Sequence, residues 1–292
     1  MLKKEINRKK NCILYLARNR KDDYENLIRS LFFLKKNFLK KNKCDIIIFH
    51  EKNFKKKHII NIIKLDIIFI KIAFKIPKYS NNIKKKIPFI YPHHRSDKPG
   101  FSLGYRHMCR FFSGSVYEKK ILQDYDYYLR LDTDSFILSK IRYNIFNWAK
   151  ENNCYYGYIK EAVQFDHPTV IKGLWRLFNY PKNIQEGKMF YTNFELGKIS
   201  FFKSKSYKNF FNKIDKSAGI FTKRWGDAPI KYIGIRLFMS NRNIMPVSGF
   251  LYQHSGSFYD TRKKLFRNLF PAYFLKKIAY IKYNIFKIVK KI

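Results

Sequence analysis

A chain of 292 residues can bury a sizeable core, as one domain or one domain with an appendage. Its 61 Lys and Arg against 21 Asp and Glu give a formal net charge of +40, at face value the mark of a polyanion-binding protein. The basic residues are spread over the whole length among abundant Ile, Asn, Phe and Tyr, the set that AT-rich codons encode, so the charge predicts non-specific attraction to anionic surfaces and no specific nucleic-acid partner.

Met1 to Lys10 is basic and is followed by only a brief apolar stretch, which reads as neither a signal peptide nor a spanning anchor. Cys12 to Leu16 predicts a first strand running into Ala17, Arg18 and Asn19. A helix is expected from near Asp22, because Leu27, Leu31, Leu34 and Phe38 recur at helical spacing. The continuous apolar runs Cys44 to Phe49 and Leu65 to Phe74 suit strands buried on both faces of a parallel sheet. Ligands of such sheets bind beyond the carboxyl ends of the strands, which places Arg18 and Asn19 near a nucleotide. Tyr79 to Lys98 is rich in Lys, Pro, Asn and His and lacks periodicity, so it reads as a long surface loop within reach of an acceptor. There is no internal repeat and no glycine-rich phosphate loop, which argues against a P-loop or dinucleotide enzyme.

The next element carries chemistry. Asp126-Tyr127-Tyr128-Leu129-Arg130-Leu131 is an apolar-aromatic run that stops abruptly at Asp132-Thr133-Asp134. A strand ending in Asp-x-Asp delivers carboxylate oxygens to the rim of a sheet, where Mg²⁺ or Mn²⁺ is held together with substrate phosphates. The same tripeptide also occurs in ordinary solvated turns, and by itself it supports only a metal-dependent transferase or hydrolase. Around it stand Gly104-Tyr105-Arg106-His107-Met108-Cys109-Arg110-Phe111-Phe112, Thr192-Asn193-Phe194-Glu195, Lys223-Arg224-Trp225-Gly226-Asp227-Ala228-Pro229 and Leu251-Tyr252-Gln253-His254. Asp227 before a helix starting near Pro229 reads as an N-cap, with Ile230, Ile233 and Leu237 as the apolar face.

These five motifs, in this order, resemble those of the fungal Golgi alpha-1,2-mannosyltransferases of glycosyltransferase family 15, over Cys12 to His254. The resemblance implies an α/β chain of GT-A type, with a mixed central sheet flanked by helices, and retaining transfer from GDP-mannose with Mn²⁺ to a mannosylated glycan, glycoprotein or glycolipid. Residue by residue it implies Asp132, Asp134 and His254 at the metal, the family's Glu-Pro-Asp being replaced here by Asp-Thr-Asp. It puts the candidate nucleophile on Glu195, either as a covalent partner or as electrostatic support for same-face attack. Asn193, Trp225 and Asp227 become candidates for sugar or acceptor contacts, Tyr105 for stacking, and Arg106, Arg110 and Arg130 for pairing with phosphates or orienting the acids. For each of these the ordinary structural role, a buried aromatic, a cap or an ion pair, remains open.

The catalytic domain is expected to cover 1–262 and a basic amphipathic helix 263–292. In the latter, Ile278, Ile281, Ile285, Ile288 and Ile292 alternate with lysines, as in a helix lying on an anionic bilayer or docked on its own enzyme. The fungal relatives carry an N-terminal membrane span; here attachment, if any, is expected from the other end. Cys12, Cys44, Cys109 and Cys154 lack zinc-site spacing, and cysteines associated with the family are missing, so four free thiols are expected. Two other readings stay open: a related transferase using another nucleotide sugar, and a non-catalytic basic binding protein.

Overall fold

The computed structural model describes residues 10–77, 87–88, 90–91, 100–163, 168–182 and 184–262. The predicted helix at 263–292 and most of the predicted loop at Tyr79 to Lys98 lie outside the described residues.

In chain order the elements are β1 (Lys10–Ala17), α1 (Lys21–Asn37), β2 (Asp45–His50), α2 (Lys56–Ile63), β3 (Ile67–Lys71), β4 (Ile90–Tyr91), β5 (Phe101–Ser102) and α3 (Leu103–Arg110). They continue with β6 (Tyr125–Leu131), β7 (Ser135–Ile137), α4 (Ile145–Glu151), β8 (Tyr156–Tyr158), β9 (Glu161–Val163), α5 (Pro168–Leu177), β10 (Lys188–Phe190) and β11 (Phe194–Lys198). The last are α6 (Ile199–Phe202), α7 (Lys205–Lys216), α8 (Gly219–Thr222), α9 (Asp227–Phe238), β12 (Ile244–Pro246), β13 (Leu251–His254) and β14 (Ser257–Asp260). They fall into two compact units.

The first, here the parallel unit, holds Cys12–Ile72, Arg130–Trp148 and the described residues from Val247. β1, β2 and β3 run parallel in that order, with Ile13 opposite Ile46 and Ile46 opposite Ile67. Ile46, Ile47, Ile48 and Phe49 are all buried, as a strand covered on both faces requires. Helix α1 packs Leu27, Leu31 and Leu34 inward, the residues whose spacing predicts it. No side chain caps its start; Asp22 and Asp23 sit in the first turn, where carboxylates are favoured by the helix dipole. Its buried Ser30 and Asn37 face a second sheet, β14-β13-β7. The Ser30 hydroxyl donates to the Ser135 carbonyl at 2.5 Å and the Asn37 amide to the Ile137 carbonyl at 2.7 Å.

The second, the mixed-sheet unit, is drawn from Ala73–Leu129 and Ala149–Pro246. Here the strand order is β12-β8-β11-β6, and β8 pairs antiparallel with β11 but parallel with β12. Aromatic side chains fill the core: Phe202 stacks on Tyr117 with ring centroids 4.4 Å apart, and Tyr207 and Phe210 of α7 pack at 5.6 Å. Gly197 of β11 is required by this packing, because a Cβ there would lie 2.4 Å from the ring of Tyr128.

One boundary differs from expectation. Asp227 is the first residue of α9 and Gly226 holds the cap position. The carboxylate of Asp227 accepts a hydrogen bond from the Thr192 hydroxyl at 3.0 Å, a partner in the segment that leads into β11. The four cysteines are free. Burial, first of all, pushes the thiols of Cys44 and Cys154 up to about 12, which leaves them unreactive as nucleophiles. No described helix is long and apolar enough to cross a membrane.

Candidate functional site

In the parallel unit the buried end of β6 stops at Leu131, and the chain turns back at once into β7. Two hydrogen bonds make the turn: the Ser135 amide donates to the Asp132 carbonyl at 3.0 Å, and the Asp132 amide to the Ser135 hydroxyl at 3.2 Å. Strand β13 then pairs antiparallel with β7 so that His254 lies opposite Ser135. This register is what brings a residue from 120 positions later beside the acids. Ligand atoms of Asp132, Asp134 and His254 all lie within 4.8 Å of one another.

The three side chains are half-buried: the two acids keep 30% of their side-chain surface exposed and the imidazole 20%. His254 Nε2 is 3.6 Å from Asp132 Oδ2 and 3.2 Å from Asp134 Oδ1. The buried Arg130 donates from Nε and Nη2 to Asp132 Oδ1 at 3.2 and 3.1 Å. Burial works against ionisation of Asp132, but Arg130 and then His254 hold it below the usual carboxylate range. Asp134 is likewise opposed by burial and held low by His254 and Ser255. Burial alone would lower His254; its contacts with the two acids raise it instead to about 9. Two carboxylate oxygens and one imidazole nitrogen, converging from a partly open surface, form a donor set suited to Mn²⁺ or a similar divalent cation.

In the mixed-sheet unit Glu195 is wholly buried on β11. Its Oε1 accepts from the Tyr128 hydroxyl and from the Lys231 ammonium, and its Oε2 from the Tyr156 hydroxyl at 3.1 Å. Lys231, on α9, is as completely buried as its partner. Tyr117 extends the network by a 2.7 Å hydrogen bond to the Tyr128 hydroxyl. Both carboxylate oxygens are therefore occupied by donors.

The remaining predicted residues are held by partners of their own. Arg18 grips Asp23 with Nε at 2.7 Å and Nη2 at 2.8 Å, and the backbone N–H of Asn19 donates to Glu51 at 3.1 Å. Both lie directly beyond the carboxyl end of β1. Arg106 is fully buried, donating to the carbonyls of Phe221, Ser102 and Pro88. Arg110 forms a two-pronged pair with Asp215, both contacts at 2.7 Å. Tyr105 packs on Phe101 with centroids 5.0 Å apart. Trp225 is buried against Gly219, where a Cβ would come within 2.3 Å of its ring. Asn193 and Asp227 are also buried.

Sequence reasoning missed Ser255, Tyr128, Tyr156 and Lys231. A signal existed for the last: Lys231 is the single charged residue in Pro229-Ile230-Lys231-Tyr232-Ile233-Gly234-Ile235, and a charge inside an apolar helix asks for a buried partner. Ser255 has no such signal, since its role arises from the β13–β14 turn.

The sequence profile of the family described as Glycolipid 2-alpha-mannosyltransferase matches residues 1–187 and 182–269. The probable mannosyltransferase KTR3 of Saccharomyces cerevisiae is 34% identical over 176 residues, which is 53% of this chain and 43% of that protein. The O-glycoside alpha-1,2-mannosyltransferase omh1 of Schizosaccharomyces pombe is 28% identical over 277 residues, 83% of this chain and 68% of the relative. The match to KTR3 thus spans less than half of that relative's length. Among solved structures, core-mannan synthase A of Aspergillus fumigatus, in its Mn/GDP form, superposes with a TM-score of 0.72 at 23% identity, over 90% of this chain and 79% of that one. That likeness establishes a GT-A-type fold.

Proposed function

The chain belongs to the glycolipid 2-alpha-mannosyltransferase family, and on that premise we propose that it is a metal-dependent, retaining mannosyltransferase. Its donor is GDP-mannose, its acceptor a mannose-containing glycan on protein or lipid, and its product an alpha-1,2 linkage. The single observation that carries this reading is the convergence of Asp132, Asp134 and His254 within 4.8 Å.

Asp132, Asp134 and His254 would hold Mn²⁺. Bound there, the cation supplies charge neutralisation for the nucleoside diphosphate as it leaves. Arg130 keeps Asp132 ionised and fixed, so this acid can meet a cation without first losing a proton. Arg18 and Asn19, at the end of β1, are assigned to the nucleotide side. Glu195 is assigned as the catalytic carboxylate, and this assignment carries a structural demand. The side chain has no exposed surface and both its oxygens are engaged, so it reaches a sugar only by exchanging the Lys231 or tyrosine contacts. Glu195→Gln tests this directly: lost transfer with an intact fold supports the role, whereas unchanged transfer makes Glu195 a core ion pair.

Transfer is tested by GDP release from GDP-mannose with and without Mn²⁺, using alpha-methyl mannoside as acceptor and GDP-glucose, GDP-fucose and UDP-glucose as comparison donors. Manganese-dependent turnover confined to GDP-mannose and abolished by Asp134→Ala is the expected result. Turnover with another donor moves the chain to a different sugar, and none with any donor removes the catalytic reading. Contact of 263–292 with anionic membranes is a separate proposal, read from vesicle binding by a fluorescent fusion of 274–292; a fusion that stays soluble ends it.

A further inference from the structure

We propose that Ser255 is a positioning residue for the metal centre, fixing Asp134 so that it presents one oxygen to the cation; this rests on the metal-site reading above. The two acids divide their oxygens in the same way. Asp132 commits Oδ1 to Arg130, at 3.2 and 3.1 Å, and turns Oδ2 towards His254. Asp134 commits Oδ2 to the Ser255 hydroxyl at 2.7 Å and turns Oδ1 towards His254. Each carboxylate thus has one oxygen tied back and one oxygen aimed at the same imidazole nitrogen. Ser255 does for Asp134 what Arg130 does for Asp132.

The backbone of Ser255 supplies the second observation. It follows His254 directly and begins the tight turn joining β13 to β14, in which His254 lies opposite Ser257. Its φ is 52°, in the left-handed region. A residue with a Cβ is disfavoured there, and glycine or asparagine is the usual occupant of such a turn. The neighbouring Gly256 has nothing within 4 Å of where its Cβ would be, so the turn is not crowded into this shape. The unfavourable backbone is accompanied by a hydroxyl placed on a metal-ligand carboxylate, which is where strain and function coincide.

The consequence for ligand chemistry is one-oxygen coordination from each acid. With the imidazole that would make three protein ligands, with water and diphosphate oxygens left to supply the others. Groups that orient metal ligands from behind typically change affinity about 10–100-fold when removed. For an exposed hydroxyl the lower end applies.

The experiment uses the full chain and Mn²⁺ alone, titrated by electron paramagnetic resonance, on wild type, Ser255→Gly, Ser255→Ala and Asp134→Ala, with denaturant unfolding of each metal-free protein. Ser255→Gly is the decisive variant, because glycine accepts the left-handed φ and relieves the backbone while the hydroxyl is lost. We expect Mn²⁺ affinity to fall about tenfold in Ser255→Gly and Ser255→Ala, with the metal-free Ser255→Gly protein at least as stable as wild type. Unchanged affinity in Ser255→Gly overturns the proposal, as does an affinity loss that merely follows a loss of metal-free stability. If Asp134→Ala binds Mn²⁺ as well as wild type, or if wild type binds none, the metal-site reading fails first and this proposal falls with it.

Discussion

Asp132 and Asp134 keep 30% of their side-chain surface open and lean on a histidine, while Glu195 has none and leans on a lysine and two tyrosines. The first arrangement is half-open, its acids balanced by Arg130 and by a His254 imidazole whose proton an arriving cation would displace. The second is closed: its counter-charge is built in, on α9 of the same unit. Carboxylates on one chain are thus set for different work by how many donors surround them. A half-open cluster costs little to empty and gains much on binding, whereas a sealed ion pair is worth most when intact and is heavily penalised when one partner is removed.

That contrast is broken most severely from the closed side. Lys231→Leu strands a buried carboxylate and is expected to lower unfolding free energy by about 3–5 kcal/mol in denaturant titrations. Adding Glu195→Gln, which removes the orphaned charge, should recover part of the loss; no recovery would mean that the lysine acts through packing. From the open side, Mn²⁺ at 100 times its dissociation constant should stabilise wild type by about 2.7 kcal/mol and leave Asp134→Ala unmoved. Acid acts on a third buried group. His107 is stacked on Phe74 with centroids 5.3 Å apart and packed on Phe221, and burial, then Arg110 and Arg106, lowers its pKa to about 4. The unfolded chain therefore binds that proton more tightly than the folded one. Its contribution is intact above pH ~6.5 and is lost as pH falls towards 4, on the order of 2–3 kcal/mol. His107→Phe should flatten that limb of the stability profile, and an unchanged slope would assign it to other groups. The smallest effect is Asp134→Ala without metal, below about 1 kcal/mol because the site is half-exposed.

The sequence was most readable where local pattern and final environment agree. Ile46 to Phe49 is apolar because both faces of β2 are covered, and Leu27, Leu31 and Leu34 recur because one face of α1 is. The abrupt change at Asp132 is readable for the same reason, since carboxylates are costly to bury without partners and two in quick succession mark the end of a covered run. Long-range pairing was not. Nothing near Arg110 announces Asp215, and nothing near Arg106 announces the Phe221 carbonyl 115 residues away. His254 was found only through a resemblance, because the β7–β13 register that delivers it is a property of the folded sheet. Asp227 was read as a cap because helix starts are local signals; the Thr192 hydroxyl that claims its carboxylate comes from another segment.

The side chains of α1 that meet β7 also cover its outer edge. β7 is a border strand of its small sheet, and the outward carbonyls of a border strand are a template on which another chain can add itself. Here the Ser135 and Ile137 carbonyls are already answered by Ser30 and Asn37, both buried. Two polar residues on a helix take the place of a further strand, so the segment leading out of the acidic turn is shielded from edge-to-edge association and from the polymerisation it invites.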